Sequence, residues 1–328
     1  MFRRSLWLII ALAMNAYTTG VMAQSKNFVW GINGHPLTQR DYSNNIDQQI
    51  SALTDLGVNS YRFDVLLDAE GNVKKESAFL QLLARLKARN IAALPALMQS
   101  GLKGTTATDN YNKGYSQGYN FGIKYGSLLS VIEVNNEVDN KIRYRGKRTG
   151  GFPEYDTIKA SRFINAIKGF IDGVKAVKPG LLVTLSVSYT HFYYLKLLQD
   201  NHVNYDIIGC HWYSNMGDIA HQKQPFADVL TSITTRFNKP VWITEFNYFR
   251  GTTKVDFATQ NDYITRNISK LSEKGIIKGF FVYELFDQPA LKARYPDEGC
   301  YGIMYKDTAG NYQKKDAYNG FKQAVSGK

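Results

Sequence analysis

The chain has 328 residues, of which 44% are hydrophobic and 13% aromatic, and this much apolar material excludes a disordered chain. Its two cysteines, Cys210 and Cys300, are too few for a disulfide-stapled small fold or a four-cysteine zinc module. The formal net charge of +12 comes from scattered basic residues, and no nucleic-acid-binding motif accompanies them. We therefore expect no nucleic-acid partner.

The N-terminal segment has the pattern of an export signal. Arg3 and Arg4 precede an apolar run over 6–16 that is too short to span a membrane, and a small-residue cleavage site ends at Ala23. Residues 1–23 are predicted to be a signal peptide, with an uncleaved anchor as the alternative. The mature protein is then periplasmic or secreted, without stable membrane insertion. An oxidising location permits a Cys210–Cys300 bridge, and free thiols are the alternative.

Short β-rich runs alternate with amphipathic helical runs along the rest of the chain. Apolar residues recurring every three or four positions predict the helices, and Gly57 and Gly275 end two of them. The predicted strands cover 28–33, 58–65, 91–98, 131–137, 181–187, 206–213, 241–246 and 278–286. The predicted helices cover 43–56, 76–89, 109–125, 154–177, 194–198, 226–237, 256–274 and 317–325.

Eight βα units of this length imply parallel strands, because each crossover carries a helix. The count of eight favours a closed (β/α)8 TIM barrel over an open doubly wound sheet. No Gly-x-Gly-x-x-Gly follows the first strand, which also disfavours a dinucleotide-binding sheet. Composition does not change along the chain, so residues 24–328 are predicted to form a single domain.

In such a barrel the active groups sit at the carboxyl ends of the strands. Residues two apart share a strand face, so His211 and Tyr213 are expected to point into the mouth together. Glu133 has the same parity as Glu137 and needs a buried partner, for which Arg62 and Lys124 are the candidates. The strand-end residues are Asn33, His35, Arg62, Asp64, Asn136, Glu137, His211, Tyr213, Glu245, Tyr283, Glu284 and Asp287.

Two carboxylates on opposite sides of one mouth are what cleavage of a glycosidic bond requires. One protonates the leaving oxygen, and the other attacks the sugar or activates water. Glu137 and Glu245 are the candidates for this pair. The competing interpretations are a surface or helix-capping carboxylate for Glu137 and a salt bridge to a helix for Glu245. Their positions at strand ends favour catalysis.

The strand-end motifs resemble those of clan A of the glycoside hydrolases, a group of retaining (β/α)8 enzymes. The matching motifs are Asn136-Glu137 ending strand four, His211-Trp212-Tyr213 on strand six and Glu245 ending strand seven. The segment 301–318, after strand eight, is similar as well, so the resemblance covers nearly the whole mature chain. Within the clan, the chain resembles families 39 and 5, and the runs around Trp212 and Glu245 also resemble family 128.

The resemblance implies a catalytic set. Glu137 would be the general acid/base and Glu245 the nucleophile of a double displacement. Asn136 would bind the 2-hydroxyl of the sugar, Tyr213 would hydrogen-bond Glu245, and His211 would line the same subsite.

The same resemblance places Arg62 beside the nucleophile. Arg62 and a phenol donor would keep Glu245 ionised, whereas a drier environment is expected to raise the pKa of Glu137. A retaining pair should lie about 5–5.5 Å apart.

Strand eight departs from the clan pattern. Many members carry a tryptophan at its end, whereas this chain has Tyr283, followed by Glu284 and Phe286. Tyr283 or Phe286 is the expected platform under the sugar, and Glu284 is an extra acid for a sugar hydroxyl or amino group. His35 and Trp212 complete the expected substrate-binding residues.

No metal or cofactor is expected, because the five histidines lack metal-ligand spacing and neither a nucleophile elbow nor a P-loop is present. Aromatic residues after strands five and seven, among them Tyr189 and Phe249, either form the cleft rim or pack the barrel. The sequence thus predicts a monomer that hydrolyses a poly- or oligosaccharide, and its net charge favours an anionic or cell-surface polymer. The alternatives are a transglycosylase with the same catalytic set and a carbohydrate-binding barrel without turnover.

Overall fold

The structure is a computed structural model and describes residues 28–102, 104–144, 151–220, 228–292 and 294–327. The predicted signal peptide, residues 1–23, lies outside the described residues. Within the described part of the chain, no helix combines the length and apolar character needed to cross a membrane.

Eight parallel strands close into a barrel in their order along the chain, with β1 pairing with both β2 and β8. Every crossover carries at least one helix, as parallel pairing of consecutive strands requires. The predicted single-domain (β/α)8 fold is therefore confirmed. The strands are β1 Val29–Gly34, β2 Ser60–Leu66, β3 Ala92–Met98, β4 Val131–Val134, β5 Leu182–Ser188, β6 Ile207–Tyr213, β7 Val241–Asn247 and β8 Ile277–Val282.

The helices surround the barrel, and a short antiparallel hairpin follows it. The predicted helix over 43–56 corresponds to α2, and the short helix α1 precedes it. Helices α5 and α10 and the hairpin of β9 Met304–Lys306 and β10 Tyr312–Lys314 were not predicted. The helices are α1 Arg40–Ser43, α2 Ile46–Leu56, α3 Glu76–Lys87, α4 Ala107–Tyr125, α5 Val138–Lys141, α6 Thr157–Val177, α7 Phe192–Asp200, α8 Val229–Phe237, α9 Phe257–Lys274, α10 Pro289–Lys292 and α11 Asp316–Ser326. 3-10 turns lie at Gly126–Leu128, Phe152–Glu154, Ser214–Met216 and Gly251–Thr253.

Two strands end earlier than predicted. β4 ends at Val134 because Asn135 and Glu137 adopt positive φ angles of 61° and 46°, which are incompatible with a strand. β8 ends at Val282 and not at 286. The residues that follow both strands therefore belong to turns at the mouth of the barrel.

The barrel interior changes from apolar to polar along its axis. At the amino-terminal end of the strands a small apolar cluster fills the barrel, including Leu94, Val131 and Trp242. Because side chains alternate between faces, the residue two positions after Val131 also points inward, and it is the fully buried Glu133. The carboxyl end of the barrel thus carries buried polar side chains, which must find partners.

A β-bulge sets the direction of Glu245. Cys210 pairs with Ile243, but the next residue of β6, His211, pairs with Glu245, so Thr244 is an extra residue in β7. Cys210 and Ile243 pack in the layer between strands and helices, whereas His211 and Glu245 face the interior. Without the bulge, Glu245 would not share a face with His211.

Helices α4 and α6 cross closely through glycines. A Cβ at Gly114 would lie 2.1 Å from the carbonyl oxygen of Ala166, and one at Gly118 would lie 2.0 Å from that of Phe170. The glycines that interrupt the predicted helix over 109–125 are therefore contact positions. α4 is consequently a full helix of 19 residues.

Cys210 and Cys300 are both buried, free thiols, so they do not form the bridge that was one of the two alternatives. Burial raises the pKa of the Cys210 thiol to about 12, so the thiol stays protonated.

Candidate active site

A cavity of about 790 Å³ opens at the carboxyl ends of the barrel strands. This is the end at which barrel enzymes carry their active groups. Three of the ten predicted site residues, His211, Trp212 and Glu284, are fully buried and do not line it. The other seven line it: His35, Arg62, Asn136, Glu137, Tyr213, Glu245 and Tyr283.

Arg62 connects the polar groups at the base of the cavity. Its Nε and Nη2 each lie 2.7 Å from a carboxylate oxygen of Glu133, which forms the bidentate pair that an arginine fork favours. Its Nη1 donates to Glu245 at 2.8 Å and to Asn33 at 2.7 Å, and Nη2 also donates to Asn136 at 2.9 Å. Burial alone would lower the pKa of Arg62, but Glu133 and Glu245 raise it above its ordinary value. Arg62, and not Lys124, is therefore the partner of the buried Glu133.

Glu245 is held by donors on both carboxylate oxygens. Arg62 donates to Oε1, and the Tyr213 hydroxyl donates to Oε2 at 2.6 Å. The side chain is 7% exposed and lies at the cavity wall. Both predicted contacts of Glu245 are thus present, and they orient a carboxylate toward the cavity beside a permanent cation.

Glu137 is held by a different kind of donor. Its carboxylate accepts from the Ser188 hydroxyl at 2.7 Å and from the Asn140 amide at 3.0 Å, and Nδ1 of His211 lies 2.9 Å away. Burial tends to raise the pKa of Glu137, but His211, Ser188 and Asn140 outweigh it and lower the pKa to about 2. The expected rise of this pKa was wrong, because these donors favour the ionised form.

His211 lies behind the two carboxylates and not on the cavity surface. Nδ1 lies 2.9 Å from Glu137 and 3.5 Å from Glu245. Burial and Arg62 tend to lower the pKa of His211, yet Glu245 and Glu137 raise it overall. The expectation that His211 lines the sugar subsite is therefore corrected: it bridges the two acids from beneath.

The same atoms have the spacing of a metal site. One ligand atom each from Glu137, His211 and Glu245 lies within 4.8 Å of the others. However, both oxygens of Glu245 already accept hydrogen bonds, and the Arg62 cation 2.8 Å away opposes a second cation. Hydrogen bonds among the residues present account for the arrangement.

A second buried network supports His35. Its Nδ1 lies 2.7 Å from Asp64, and its Nε2 lies 3.4 Å from Glu284. Glu284 in turn accepts from the Tyr42 hydroxyl at 2.7 Å and from the Gln288 amide at 2.8 and 2.9 Å. Burial raises the pKa of Glu284 to about 7, whereas the pKa of His35 rises to about 9 because Asp64 and Glu284 outweigh its burial. Glu284 therefore positions His35 and does not reach the cavity, contrary to its expected role as a direct ligand.

Trp212 points away from the cavity, because neighbouring residues of a strand face opposite sides. Its Nε1 donates to the Gly217 carbonyl at 2.8 Å, and its ring lies 5.4 Å from that of Tyr189. The expectation that Trp212 binds substrate is therefore wrong. It packs the barrel behind Tyr189, which does line the cavity.

The sugar-platform alternatives are separated by burial. Phe286 is fully buried, with its ring centroid 5.2 Å from that of Tyr42 and 4.1 Å from that of Tyr312. Tyr283 lines the cavity, as does Phe249 after β7. Of the two candidates, only Tyr283 is placed to meet a ligand.

Several groups at the site were not predicted from the sequence. Ser188 is the last residue of β5, so the strand-end rule applied to β5 would have found it. Asn140 lies in the unpredicted helix α5 and carries no periodic signal. Further lining residues come from loops, where sequence pattern is weakest: Gln39, Arg143, His191, Asn215, Met216, Glu298 and Tyr301.

Residues 159–296 match the family described as glycosyl hydrolase catalytic core. The matched segment begins within α6 and contains His211 and Glu245, while Glu137 precedes it. A comparison with curated proteins finds no match.

Solved structures, two glycosidases among them, share the fold. A family 1 β-glucosidase from Thermotoga maritima is 14% identical, with 92% of this chain and 98% of that chain covered and a TM-score of 0.63. A family 39 glycoside hydrolase from the gut symbiont Bacteroides cellulosilyticus WH2 is 16% identical, with 90% and 63% covered and a TM-score of 0.68. The virulence factor SghA from Agrobacterium tumefaciens is 14% identical, with 92% and 97% covered and a TM-score of 0.64.

The closed barrel and the match of residues 159–296 to a glycosyl hydrolase catalytic core make this protein similar to the glycoside hydrolases. A family 1 and a family 39 glycosidase are among its structural neighbours, and they share the (β/α)8 fold that the clan A resemblance implied.

Proposed function

We propose that the protein is an exported, retaining glycoside hydrolase that cleaves a poly- or oligosaccharide by double displacement. The observation that carries this proposal is the close approach of carboxylate oxygens of Glu137 and Glu245, within 4.8 Å. Retaining enzymes have carboxyl groups about 5–5.5 Å apart, whereas inverting enzymes leave about 6.5–9.5 Å for a water molecule. The spacing therefore supports direct attack by one carboxylate.

Glu245 is the nucleophile in this proposal. A nucleophilic carboxylate must be ionised and oriented, and Arg62 and Tyr213 supply both conditions. Glu245 attacks the anomeric carbon and forms a covalent glycosyl ester, while the bond to the leaving oxygen breaks.

Glu137 is the acid/base, acting together with His211. In the free enzyme the pair holds a proton chiefly on His211, because the pKa of Glu137 is lowered and that of His211 raised. A bound sugar excludes water from Glu137, which favours its neutral form. The proton then passes along the 2.9 Å contact to Glu137 and on to the leaving oxygen. In the second step Glu137 takes a proton from water, which attacks the glycosyl ester and releases Glu245.

The remaining contacts position the sugar. Asn136 is fixed by Arg62 beside both carboxylates and supports the 2-hydroxyl role that the clan resemblance implies. Tyr283 and His35 line the cavity near Glu245 and serve as the ring platform and a polar contact. Export rests on the predicted signal peptide of residues 1–23, and no cofactor is required.

The test is covalent labelling with 2-deoxy-2-fluoro glycosyl fluorides of several glycones, followed by mass spectrometry of the protein and its peptides. We expect one sugar on the peptide that contains Glu245, and none in the Glu245→Gln variant. A label on another carboxylate contradicts the assignment. Products of configuration opposite to the substrate contradict retention, and product analysis in the presence of sugar acceptors detects transglycosylation.

A further inference from the structure

The charged groups around the cavity are paired, and Glu298 differs from them. In the described part of the chain, no side-chain hydrogen bond or ion pair joins the Glu298 carboxylate to another residue, although it lines the cavity. The paired groups are Arg62 with Glu133 and Glu245, Arg143 with Glu154 at 2.8 Å, His35 with Asp64 at 2.7 Å and His191 with Asp139 at 2.6 Å.

Glu298 is exposed on the flank of the cavity formed by Tyr283 and Tyr301, whose ring centroids are 5.5 Å apart and whose hydroxyls both experience its charge. The charges it experiences are mainly negative. Partial burial, followed by the negative charges of Glu245, Glu137 and Asp297, raises the pKa of Glu298, and His35 acts in the opposite direction. This flank therefore carries a negative potential, although the whole chain has a net charge of +12.

The loop that carries Glu298 is anchored on both sides of the residue. Asp297 pairs with Arg250 at 3.1 Å, so that arginine is already engaged. The backbone N–H of Gln288 donates to the Gly299 carbonyl at 3.0 Å, and that of Thr252 donates to the Cys300 carbonyl at 2.9 Å. The backbone that carries Glu298 is thus fixed beside the cavity.

We propose that Glu298 determines specificity by accepting a charge-assisted hydrogen bond from an amino group of the sugar bound against Tyr283 and Tyr301. The substrate class is then a glycan with free amino sugars, and acidic sugars are disfavoured on this flank. A carboxylate facing a bound ammonium gains from both charge and hydrogen bonding, whereas a uronic acid would meet Glu298 and Glu245 with like charge. This inference rests on the proposed function and reverses the preference that the net charge suggested.

The test measures binding by calorimetry to the full chain carrying Glu137→Gln, which suppresses turnover. The probes are tetrasaccharides in gluco and galacto series, each as the free amine, the N-acetyl form, the neutral sugar and the uronic acid. We expect the free amine of one series to bind about tenfold more tightly than its neutral counterpart at low salt. Adding Glu298→Gln should remove this preference, so that the free amine and its neutral counterpart bind with similar affinity.

Glu273→Gln, on the exposed surface of α9, is the matched control and should not change the ratio of free-amine to neutral-sugar affinity. The proposal is overturned if no tetrasaccharide shows an amine preference, including the case in which none binds, or if the preference survives Glu298→Gln. Turnover by the wild-type chain is a separate readout. An amine preference without hydrolysis of any probe supports the role of Glu298 and contradicts the proposed hydrolase. Hydrolysis without an amine preference supports the hydrolase and contradicts the role of Glu298.

Discussion

Glu245 and Glu137 face the same cavity, but the chain holds them in different ways. Glu245 belongs to a strand, and its oxygens accept from the permanent cation Arg62 and from Tyr213. Glu137 follows a strand in a left-handed turn, and its oxygens accept from a serine, an asparagine and the titratable His211. One carboxylate therefore has a fixed charge, and the other can exchange a proton with a neighbour. This difference is what a nucleophile and an acid/base require. It can be tested by substituting either carboxylate or its hydrogen-bonding partners.

Removing the fixed carboxylate should have the largest effect. Glu245→Gln leaves no nucleophile, so kcat/KM for the cleaved glycan should fall by about 10⁴-fold or more. Glu273→Gln on α9 controls for the loss of a surface carboxylate. Assay with thermal unfolding of each variant separates chemistry from folding, and a folded Glu245→Gln protein within tenfold of wild-type activity contradicts the assignment.

Removing the exchanging carboxylate should have a smaller effect that depends on the leaving group. Glu137→Ala should lower kcat/KM by about 10²–10⁴-fold for a natural glycan, and much less for an aryl glycoside whose phenolate leaves without protonation. Added azide should then give a glycosyl azide of retained configuration, whereas Glu245→Ala with azide should give the inverted one. An equal loss of kcat/KM for the natural glycan and the aryl glycoside would contradict the acid role of Glu137.

The fixed charge also has a consequence for stability. Arg62→Met leaves Glu133 buried without its cation, which should lower the free energy of unfolding by about 3–5 kcal/mol in urea titrations. Adding Glu133→Gln should restore part of this loss. Arg85→Met, which breaks the exposed Arg85–Asp47 pair, should cost less than about 1 kcal/mol. Similar costs for Arg62→Met and Arg85→Met would show that the buried cluster is not critical.

The proton shared by Glu137 and His211 should determine the alkaline limb of the pH profile. The Glu137–His211 pair keeps its proton until His211 deprotonates, and the pKa of His211 is raised above 6.5, so the alkaline limb of kcat/KM should lie above pH 6.5. In His211→Gln, Glu137 must hold the proton alone, and the limb should move to lower pH. Tyr42→Phe, which removes a donor from Glu284 on the other network, should leave this limb in place. An unchanged limb in His211→Gln would show that His211 does not share the proton.

The fold was predictable from local patterns because each βα unit repeats an apolar strand and an amphipathic helix. The errors fall where the pattern is not local. Asn135 and Glu137 leave β4 early through positive φ angles that no apolar periodicity reveals. The bulge at Thr244 and the short strands of the hairpin after the barrel carry no periodic signal either.

The candidate site was predictable to the extent that strand ends converge. Position at a strand end identified Glu137, Glu245 and Arg62. Trp212 was expected at the site as part of the motif His211-Trp212-Tyr213, but alternation along β6 turns it away from the cavity. Ser188 was within reach of the rule, whereas Asn140 and Glu298 lie in a short helix and a loop whose placement depends on distant contacts.

By itself the sequence determined the eight-unit barrel and the pair of carboxylates at its mouth, because these follow from periodicity and order along the chain. Only the tertiary structure decided that His211 lies beneath the carboxylates, that Glu284 supports His35 and that the pKa of Glu137 is lowered. These properties depend on contacts such as Glu137–His211 and Tyr42–Glu284, between residues 74 and 242 positions apart. Burial and charge at such contacts are set by folding and not by neighbours in sequence.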